Sequence, residues 1–484
     1  MYLRKSYLKR IPYLAKISLL ARKKRVGVWL VGGFLRDALL GEARNFFDFD
    51  FSVEKETFKF VNSFRRMTAS RLITLDAGHN SYRIIVKKGG KSYTYDFTQL
   101  RGKSLKDDLR ARDFTVNSLA LDLAALKKGQ ILDLAGGRAD LKRKCIRAHS
   151  EEVLKQDPLR ILRAFSLSAK YGFIIEKRTL RFLCKHKVLL KSISGERINE
   201  ELFKIIDSPS SFKTIKKLSD LGIIDVFIPH ISCQRGVSQG DYHHLDVWNH
   251  ALETLFRFES LLKRKLSKDK EILDYLNRPL ADNHRLIHII KLACILHDMG
   301  KPFAKKRRKK RTIFHKHEKI GASLSEDVFR ELRLSLKERD VLKRLIFWHL
   351  RPGYLADQEY PSRRAVYRFF RDTGEEGAAV IILSLADWRA TRGPLVDNKK
   401  RAKHERVMFG LLKYYFNSKQ VKAPPKLVDG FDIMAKFKLS PSPLIGKVLA
   451  KINEEQALGR VSTKKEAYMV ARKVINNNKP KAPS

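Results

Sequence analysis

The sequence predicts an α+β fold, in which a mixed sheet with helices forms the N-terminal part and helices make up nearly all of the rest. Residues 26–140 contain short apolar or alternating runs separated by turn residues, a pattern typical of strands mixed with short helices. From about residue 141 the apolar residues recur at helical spacing almost to the end of the chain. The length of 484 residues and the hydrophobic content of 43% allow several packed domains.

The N-terminal elements follow in order along the chain. Tyr13, Leu14, Ile17 and Leu20 predict an amphipathic first helix that packs on the domain behind it. Residues 1–25 lack Asp and Glu, so a transit peptide is the other interpretation of this segment. The next predicted elements are a strand at 28–31, a helix at 34–40, a strand at 47–53 and a hairpin of strands at 81–86 and 92–98, and residues 110–123 close the domain.

Three segments of the helical part have an unusual composition. Residues 264–286 are polar and charged, which predicts an insertion or an exposed connection. Residues 305–311 read Lys-Lys-Arg-Arg-Lys-Lys-Arg, and a run of this kind is usually a solvated loop, with RNA contact as the alternative. Residues 473–484 carry three Asn and two Pro, which predicts a frayed tail.

The net charge limits the classes of partner. The chain has 100 Lys and Arg against 52 Asp and Glu, a formal charge of +48, which favours a polyanion and most simply a nucleic acid. A proteome-wide basic bias is the alternative. Four cysteines without CxxC spacing suit a reducing cytoplasm, and no apolar run approaches the roughly 20 residues of a membrane span.

Two aspartates one residue apart, Asp48 and Asp50, alternate with aromatic residues in the run 46–51. Alternation places both carboxylates on one face of a strand, where they repel each other unless a cation joins them. The upstream pair Gly32-Gly33 allows backbone N–H groups to approach a phosphate closely. Together these features predict a site for a metal-bound nucleoside triphosphate.

Six ordered motifs then carry a resemblance to a known family. They are LVGGFLRDALLG at 30–41, DFD at 48–50, RDFTVN at 112–117, DLAGG at 133–137, DPLRILRA at 157–164 and ERINEE at 196–201. This series resembles the class II nucleotidyltransferases, which comprise the bacterial and eukaryotic tRNA CCA-adding enzymes and the bacterial poly(A) polymerases. The resemblance implies a nucleotidyltransferase-type head that uses CTP and ATP on the tRNA 3′ end.

The resemblance also implies roles for individual residues. Asp48 and Asp50 are expected to hold the catalytic Mg²⁺ ions, because two metals can activate a 3′-hydroxyl and neutralise the leaving pyrophosphate. Asp96 is either a third carboxylate on a neighbouring strand or a plain surface aspartate. The residues expected to bind the nucleotide are Gly32, Gly33, Arg36, Arg112, Asp113, Asn117, Asp157, Arg160 and Arg163.

Asp157 and Arg160 are the candidates for reading the base. Residues three apart share a helix face, and Pro158 suits the first helical position with Asp157 as cap. The carboxylate would accept from the amino group of C or A, and the arginine would donate to the neighbouring ring atom. A helix cap alone is the other role for Asp157. For Glu196, Arg197 and Glu200, a structural pairing and a substrate contact remain equally open.

The chain departs from the family pattern in three places. Gln156 stands where a glutamate is usual, Ala111 replaces an arginine, and only eleven residues separate Asp96 from Asp108. In this family a short loop suggests a CC-adding specialist that cannot switch its pocket to ATP. Complete CCA is the expected product, with CC alone as the alternative. The alternatives are a poly(A) polymerase and, in a different class, an RNA-binding HD phosphohydrolase with an inactive head.

Histidines are concentrated between residues 230 and 349, which hold ten of the fourteen. The run around His297-Asp298 (LACILHDMGKP, 292–302) resembles the HD-domain signature. The metal ligands that this resemblance implies are His250, His297, Asp298, His317, His349 and Asp387, while His243 and His244 are given no role. Such a mixed set suits a divalent transition metal or Mg²⁺ and would serve phosphoester hydrolysis, with a helical domain that keeps these residues for packing as the alternative.

The two resemblances together predict the domain order. A nucleotidyltransferase head covers residues 1–140, an all-α neck 141–230, an HD domain 231–400, and a helical C-terminal region with a disordered tail 401–484. A cytoplasmic location is expected and no membrane contact; the oligomeric state is left open.

Overall fold

The computed structural model describes residues 3, 5–42, 47–126, 129–240, 242–281, 284–308, 311–358, 360–395, 397–419 and 426–478. The chain divides into two compact units, Met1–Phe227 and Ile228–Ser484. The α+β class is confirmed, because the mixed sheet lies in the first unit and the second unit is almost entirely helical. The predicted subdivisions at residues 140 and 400 stay predictions.

The first unit is built on a seven-stranded sheet within the described residues, with the order β3-β4-β5-β2-β1-β6-β7. The β2–β5 pair is parallel, while its other neighbouring strands run antiparallel. Two further short strands pair in parallel outside this sheet. The strands are β1 Val28–Val31, β2 Asp48–Val53, β3 Arg71–Asp76, β4 Ser81–Lys88, β5 Lys91–Gln99, β6 Leu119–Asp122, β7 Ile131–Asp133, β8 Cys145–Ile146 and β9 Ile174–Ile175.

Helices cover and extend this sheet. They are α1 Lys5–Leu8, α2 Leu14–Lys24, α3 Gly33–Leu40, α4 Thr57–Thr68, α5 Leu105–Arg110, α6 Gly137–Lys142, α7 Glu152–Gln156, α8 Arg160–Tyr171, α9 Lys177–His186, α10 Gly195–Asp207 and α11 Ser211–Asp220. The packing predicted for the first helix is confirmed: Ile17 on α2 is fully buried, and the Ser18 hydroxyl donates to the Leu123 carbonyl at 2.6 Å. The strand β3 was not predicted.

An aromatic core fixes the orientation of β2. Phe49 and Phe51 are buried and pack against Tyr95 and Phe97 of β5. Aromatic pairs of this kind each stabilise the fold by about 0.5–1.5 kcal/mol beyond simple burial. Because side chains alternate along a strand, this packing directs Asp48 and Asp50 to the opposite face.

The second unit packs around the apolar helices α14 and α20 together with α12. Its elements are α12 Val247–Arg264, α13 Lys270–Leu276, β10 Pro279–Ala281, β11 His284–Arg285, α14 Leu286–Leu296, α15 Lys301–Ala304, β12 Lys306–Arg308, β13 Arg311–Ile313, α16 His317–Glu331, α17 Leu336–Trp348, α18 Arg351–Ala356, α19 Arg363–Thr373, α20 Gly377–Ala390, α21 Asn398–Lys419, α22 Gly430–Phe437, α23 Pro443–Ala457 and α24 Lys464–Asn477. The last three helices share a core of their own.

Three predictions for this unit were wrong in part. The segment 264–286 is not simply exposed, because Leu266 and Leu276 are buried in the packing of α13. The basic run is not simply a loop: Lys305 follows α15, residues 306–308 and 311 lie in the β12–β13 hairpin, and 309–310 fall outside the described residues. The helix α24 continues to Asn477, so the predicted tail begins later, and residues 479–484 lie outside the described residues. Among the described residues, no helix is both long and apolar enough to span a bilayer.

Candidate active sites in the two units

The two aspartates of β2 lie on an open face of the sheet. Asp48 and Asp50 are exposed, and Asp50 pairs in register with Val31 of β1 on one side and with Asp96 of β5 on the other. The Asp50 carboxyl reaches solvent, yet protein atoms surround it, and this desolvation raises its pKa despite the opposing charge of Arg112. An anion held in such a place is stabilised by a cation.

The glycine turn lies directly against Asp50. Gly32 has φ +80° and precedes α3, and a Cβ added to it would lie 2.7 Å from Asp50 Oδ2. Glycine is therefore needed here both for the backbone conformation and for the space. Gly32 is the N-cap of α3, so this helix begins next to Asp50, and the first N–H groups of a helix suit an anion such as a phosphate.

Asp96 is on the neighbouring strand, as predicted, but it is already paired. Arg83 of β4 donates to both carboxylate oxygens of Asp96, at 2.8 and 2.7 Å. Among the described residues, two groups of three or more His, Cys, Asp or Glu side chains lie close enough together to hold a metal ion. Both groups are in the second unit, so Asp48, Asp50 and Asp96 do not form one. A third-carboxylate role for Asp96 stays a prediction, and it would require Arg83 to share that carboxylate.

Four of the residues expected to bind the nucleotide form one chain of hydrogen bonds. Arg36 donates to Asn117 Oδ1, the Asn117 amide donates to Asp113, and Arg163 Nε lies 3.0 Å from Asp113 Oδ2. Arg36 is buried and also donates to Asp37 and to the Tyr171 hydroxyl. Arg163 is exposed, and it holds the pKa of Asp113 below its usual value although burial opposes this.

The motif at 133–137 packs against the 112–117 segment, which contains Asp113 and Asn117 of this hydrogen-bonded series. A Cβ at Gly137 would lie 2.1 Å from the Thr115 carbonyl oxygen, so only glycine allows α6 to approach the 112–117 segment this closely. The carboxylate of Asp133 accepts from the backbone N–H groups of Gly137 and Arg138 at 2.8 and 3.0 Å. Arg112 donates to Ser52 at 3.0 Å, which ties the segment to β2.

The predicted base-reading pair is arranged differently from the expectation. Asp157 is extended and precedes the first turn of α8, so it does not share a helix face with Arg160. Its Oδ1 accepts from the Leu159 N–H at 3.3 Å in the turn before α8, whose N-cap is Leu159 and not Asp157. Arg197 donates to both of its oxygens at 3.1 Å. Arg160 is buried and donates to the carbonyls of Ala111 and Val153.

The six predicted ligands of the HD region come together in the second unit. They form two groups within which the ligand atoms lie no more than 4.8 Å apart: His250, His297 and Asp387 in one, and Asp298, His317 and His349 in the other. A Cβ at Gly300 would lie 2.1 Å from the His317 carbonyl, so this glycine allows the end of α14 to meet the start of α16.

Backbone contacts orient three of these imidazoles. Nδ1 of His297, His317 and His349 lies 3.0, 2.7 and 2.7 Å from the carbonyl three residues earlier in the chain. A carbonyl can only accept, so Nδ1 carries a proton, and in the neutral imidazole Nε2 is then the atom that can bind a metal. The same Nε2 atoms face the two aspartates.

Asp298 belongs to one group and also contacts the other. Its Oδ2 is 3.2 Å from His297 Nε2, and its Oδ1 is 3.3 Å from His317 Nε2 and 3.6 Å from His349 Nε2. Within the group that contains His297, His250 Nε2 lies 2.8 Å from Asp387 Oδ1. A carboxylate in this position is suited to being shared by two cations.

Several polar atoms at the centre lack hydrogen bonds. His297 Nε2 and both oxygens of Asp298 are buried and make no hydrogen bond of regular geometry among the described residues, although Lys301 Nζ forms an ion pair with Asp298 Oδ2 at 2.6 Å. Burial opposes their charged forms, but His297 and Lys301 hold the pKa of Asp298 well below its usual value, and the two aspartates raise the pKa of His297 to about 10. Imidazole nitrogens together with carboxylate oxygens fit a divalent cation, which would bind Nε2 of His297 in place of its proton.

Two neighbours of this centre were not identified from the sequence. Lys301 Nζ lies 2.6 Å from both Asp298 Oδ2 and Gln239 Oε1. The His243 ring lies edge-on to that of His250 at 4.7 Å, and burial lowers the pKa of His243 to about 3. The three-residue spacing from Asp298 to Lys301 on one turn could have pointed to the lysine, whereas His243 offered no such signal.

Comparison with known proteins decides the family. Residues 28–147 match the Poly A polymerase head domain, 172–234 the Probable RNA and SrmB-binding site of polymerase A, and 247–392 the HD domain. An A-adding tRNA nucleotidyltransferase of Deinococcus radiodurans is 32% identical over 453 residues, which cover 91% of this chain and 94% of that protein. The chain belongs to the tRNA nucleotidyltransferase family.

Other relatives within the tRNA nucleotidyltransferase family agree with this. A CC-adding tRNA nucleotidyltransferase of Thermus thermophilus is 30% identical and covers 90% of this chain and 91% of that protein. The structure of the Thermotoga maritima CCA-adding enzyme complexed with tRNA superposes with a TM-score of 0.65 at 20% identity, covering 99% of both chains, and shows the shared fold. The predicted resemblance, the HD region included, and the assignment as a nucleotidyltransferase are therefore confirmed.

Proposed function

We propose that the protein transfers CMP from CTP to the 3′ end of tRNA that lacks its CCA terminus, with Mg²⁺ held by Asp48 and Asp50. The observation that carries this proposal is the open pair of carboxylates on β2, with Gly32 placed against Asp50. Two carboxylate oxygens are the hard ligands that Mg²⁺ prefers. In the family's reaction, bound Mg²⁺ supplies charge neutralisation at the triphosphate and at the attacking 3′-hydroxyl.

The chain's own residues have separate tasks in this proposal. The N–H groups at the start of α3 bind the triphosphate, and the exposed Arg163 neutralises part of its charge. Asp113 and Asn117 position the nucleoside, with Arg36 holding Asn117 in place. Asp157 and Arg160 select the base, and Arg197 orients the Asp157 carboxylate.

The extent of addition is proposed to be CC only. The connection between β5 and α5 is only five residues long, 100–104, which supports a pocket that cannot be rearranged for ATP. The Thermus relative, named as CC-adding, matches nearly the whole chain. Addition of the terminal A alone is a second candidate, favoured by the name of the Deinococcus relative at 32% identity.

Replacing the two carboxylates tests the proposed metal site. Asp48→Asn or Asp50→Asn should reduce incorporation of labelled CMP into tRNA at least about 10³-fold, because each removes a charge from the metal ligands. Binding of tRNA in a filter assay should persist. Asp76→Asn, an exposed aspartate of the edge strand β3, is the matched control. Normal incorporation by the double Asp48/Asp50 variant would contradict the assignment.

We further propose that the HD region is a second, metal-dependent active site for phosphoester hydrolysis. The two groups of ligands around Asp298 support a pair of cations such as Mn²⁺, Ni²⁺, Co²⁺ or Mg²⁺. A cation bound there supplies a polarised water as nucleophile. The proposed substrates are terminal or 2′,3′-cyclic phosphates. A cytoplasmic location is also proposed, supported by the four free cysteines.

A further inference from the structure

A strip of unpaired positive charge stands beside the HD centre. Lys305, Lys306, Arg307 and Arg308, here called the basic strand, are all exposed, and three of them form β12 of the β12–β13 hairpin. Among the described residues, none of the four makes an ion pair or a side-chain hydrogen bond. Because strand side chains alternate, the cations lie on both faces of the ribbon.

Both ends of the hairpin are anchored at the ligands of the centre. On one side, only α15 separates the basic strand from Asp298, and Lys301 of that helix contacts Asp298 at 2.6 Å. On the other side, β13 leads directly into Phe314, whose carbonyl orients His317 at 2.7 Å. The hairpin is therefore an insertion between two ligands of the same group, so its base is held close to the site.

We propose that the basic strand binds the phosphates of a single-stranded RNA 3′ end and guides its terminal phosphate to the HD centre. This inference rests on the proposed HD function and names its substrate class. Four adjacent cations without intramolecular partners complement the regular charge of an RNA backbone, and RNA is the polyanion on which the protein's family acts. Phe303, 53% exposed at the base of the hairpin, provides a ring on which a base can stack.

The reaction assigned to the guided end is a simple hydrolysis. Water forms a new bond to the phosphorus of a 3′-terminal phosphate, the bond from phosphorus to the ribose 3′ oxygen breaks, and a proton of the water ends on that oxygen. The products are inorganic phosphate and an RNA with a free 3′-hydroxyl. A small phosphate ester undergoes the same bond changes but lacks the backbone phosphates that the basic strand binds.

The binding step can be tested without metal. A 12-nucleotide RNA with a 3′-phosphate and 4-thiouridine near that end is irradiated with the full-length protein in EDTA, and cross-linked peptides are mapped by mass spectrometry. We expect cross-links on a peptide that contains Lys305 to Arg308, at least tenfold weaker after these four residues are changed to Gln. Cross-links found only elsewhere would overturn the proposal, whatever the hydrolytic activity.

A matched control removes the same charge at another site of the unit. Lys263, Arg264, Lys268 and Lys270 are also exposed, and they begin about 20 Å along α12 from His250, given a rise of roughly 1.5 Å per residue. Changing these four to Gln should leave the cross-links at the basic strand within twofold of wild type. An equal loss in both variants would show that only the net charge matters and would overturn the site.

Hydrolysis then separates this proposal from the one it rests on. With Mn²⁺, kcat/KM is measured for the 3′-phosphorylated RNA and for p-nitrophenyl phosphate, and their ratio should fall at least tenfold in the basic-strand variant and less than twofold in the control. An unchanged ratio would contradict guidance by the basic strand while leaving the HD activity in place. If the wild type hydrolyses neither substrate, the HD proposal fails, and the cross-linking result still decides whether RNA binds here.

Discussion

At the scale of single residues, Gly32 links the backbone of the turn to the catalytic carboxylate. Its φ of +80° disfavours a side chain, and a Cβ added here would lie only 2.7 Å from Asp50 Oδ2. Gly41 has the same φ at the other end of α3, but nothing lies within 4 Å of a Cβ added there. A side chain would strain the backbone at both glycines, but it would clash with Asp50 only at Gly32.

The prediction for this pair is a loss of activity at one position only. Gly32→Ala should reduce nucleotide incorporation by at least about 100-fold, because the added methyl displaces Asp50. Gly41→Ala should retain incorporation within a few-fold while lowering the free energy of unfolding by roughly 1 kcal/mol, the cost of a left-handed conformation. Thermal melts and initial rates measure both. Equal activity of the two variants would contradict the placement of Gly32 against Asp50.

Local patterns predicted some of these residues well and others not. The alternation of Asp48 and Asp50 with aromatic residues depends only on the period of a strand, so their shared face was confirmed. The partners Arg83 for Asp96 and Arg197 for Asp157 were not predicted, because they depend on strand register and on the packing of distant helices. Arg160 was expected to donate to the base, and its hydrogen bonds to two backbone carbonyls were not predicted.

At the scale of elements, the junction of α7 and α8 is where base selection is predicted. Arg160→Ala should lower the preference for CTP over UTP by about tenfold, since a charged hydrogen-bond donor is typically worth about 1.5–3 kcal/mol. Competition assays with all four NTPs measure the preference. Arg181→Ala on the exposed side of α9 is the control. If Arg160→Ala only lowers the melting temperature and leaves discrimination intact, Arg160 supports the junction and does not read the base.

The contact of α19 with α23 predicts a pH effect on stability. Glu454, with a side chain only 3% exposed, accepts from Arg368 at 2.7 and 3.1 Å, and this lowers its pKa to about 2. A depressed folded-state pKa stabilises the fold above the unfolded pKa of about 4.5 and loses that effect as pH falls towards 2. The melting-temperature difference between wild type and Glu454→Gln should therefore shrink from pH 6 to pH 3. Glu331→Gln, at an exposed position, should show no such trend.

Elements with strong local signals were predicted and elements defined by packing were not. The β4–β5 hairpin was confirmed because Gly89-Gly90 and the flanking alternation are visible in the sequence. The edge strand β3 was not predicted. The segment that forms α13 was predicted to be an insertion or an exposed connection, because the burial of its few apolar residues depends on packing against other helices. The basic run predicted a loop because charge repulsion favours solvation, while its pairing into a hairpin depends on β13.

At the scale of the whole molecule, the two units carry separate chemistry in this account. His297→Ala with Asp298→Ala should abolish phosphoester hydrolysis and lower the metal content after loading with Mn²⁺, because it removes ligands from both groups. Incorporation of CMP should remain within about twofold, since Asp48 and Asp50 lie in the other unit. Metal analysis and both assays on one preparation measure this. Equal metal content in variant and wild type would indicate that the HD region is structural.

The order of motifs predicted the family because each motif is a short local pattern that can be read directly from the sequence. Glycine at 32 and 137 is required by close contacts, and the HD pair at 297–298 supplies ligand atoms to both groups. The base that is added is harder to predict, because it depends on the shape of a pocket that several distant segments form together.

Sequencing of tRNA 3′ ends directly tests the proposal that the protein adds CC and not the terminal A. Transcripts ending at the discriminator base, at C and at CC are each incubated with the protein, Mg²⁺ and all four NTPs, and their ends are sequenced. A CC-adding enzyme should extend the first two transcripts to CC and stop there despite ample ATP, and should leave the third unchanged. Complete CCA on the first transcript, a single A added only to the third, or a long run of A on any of them would contradict it.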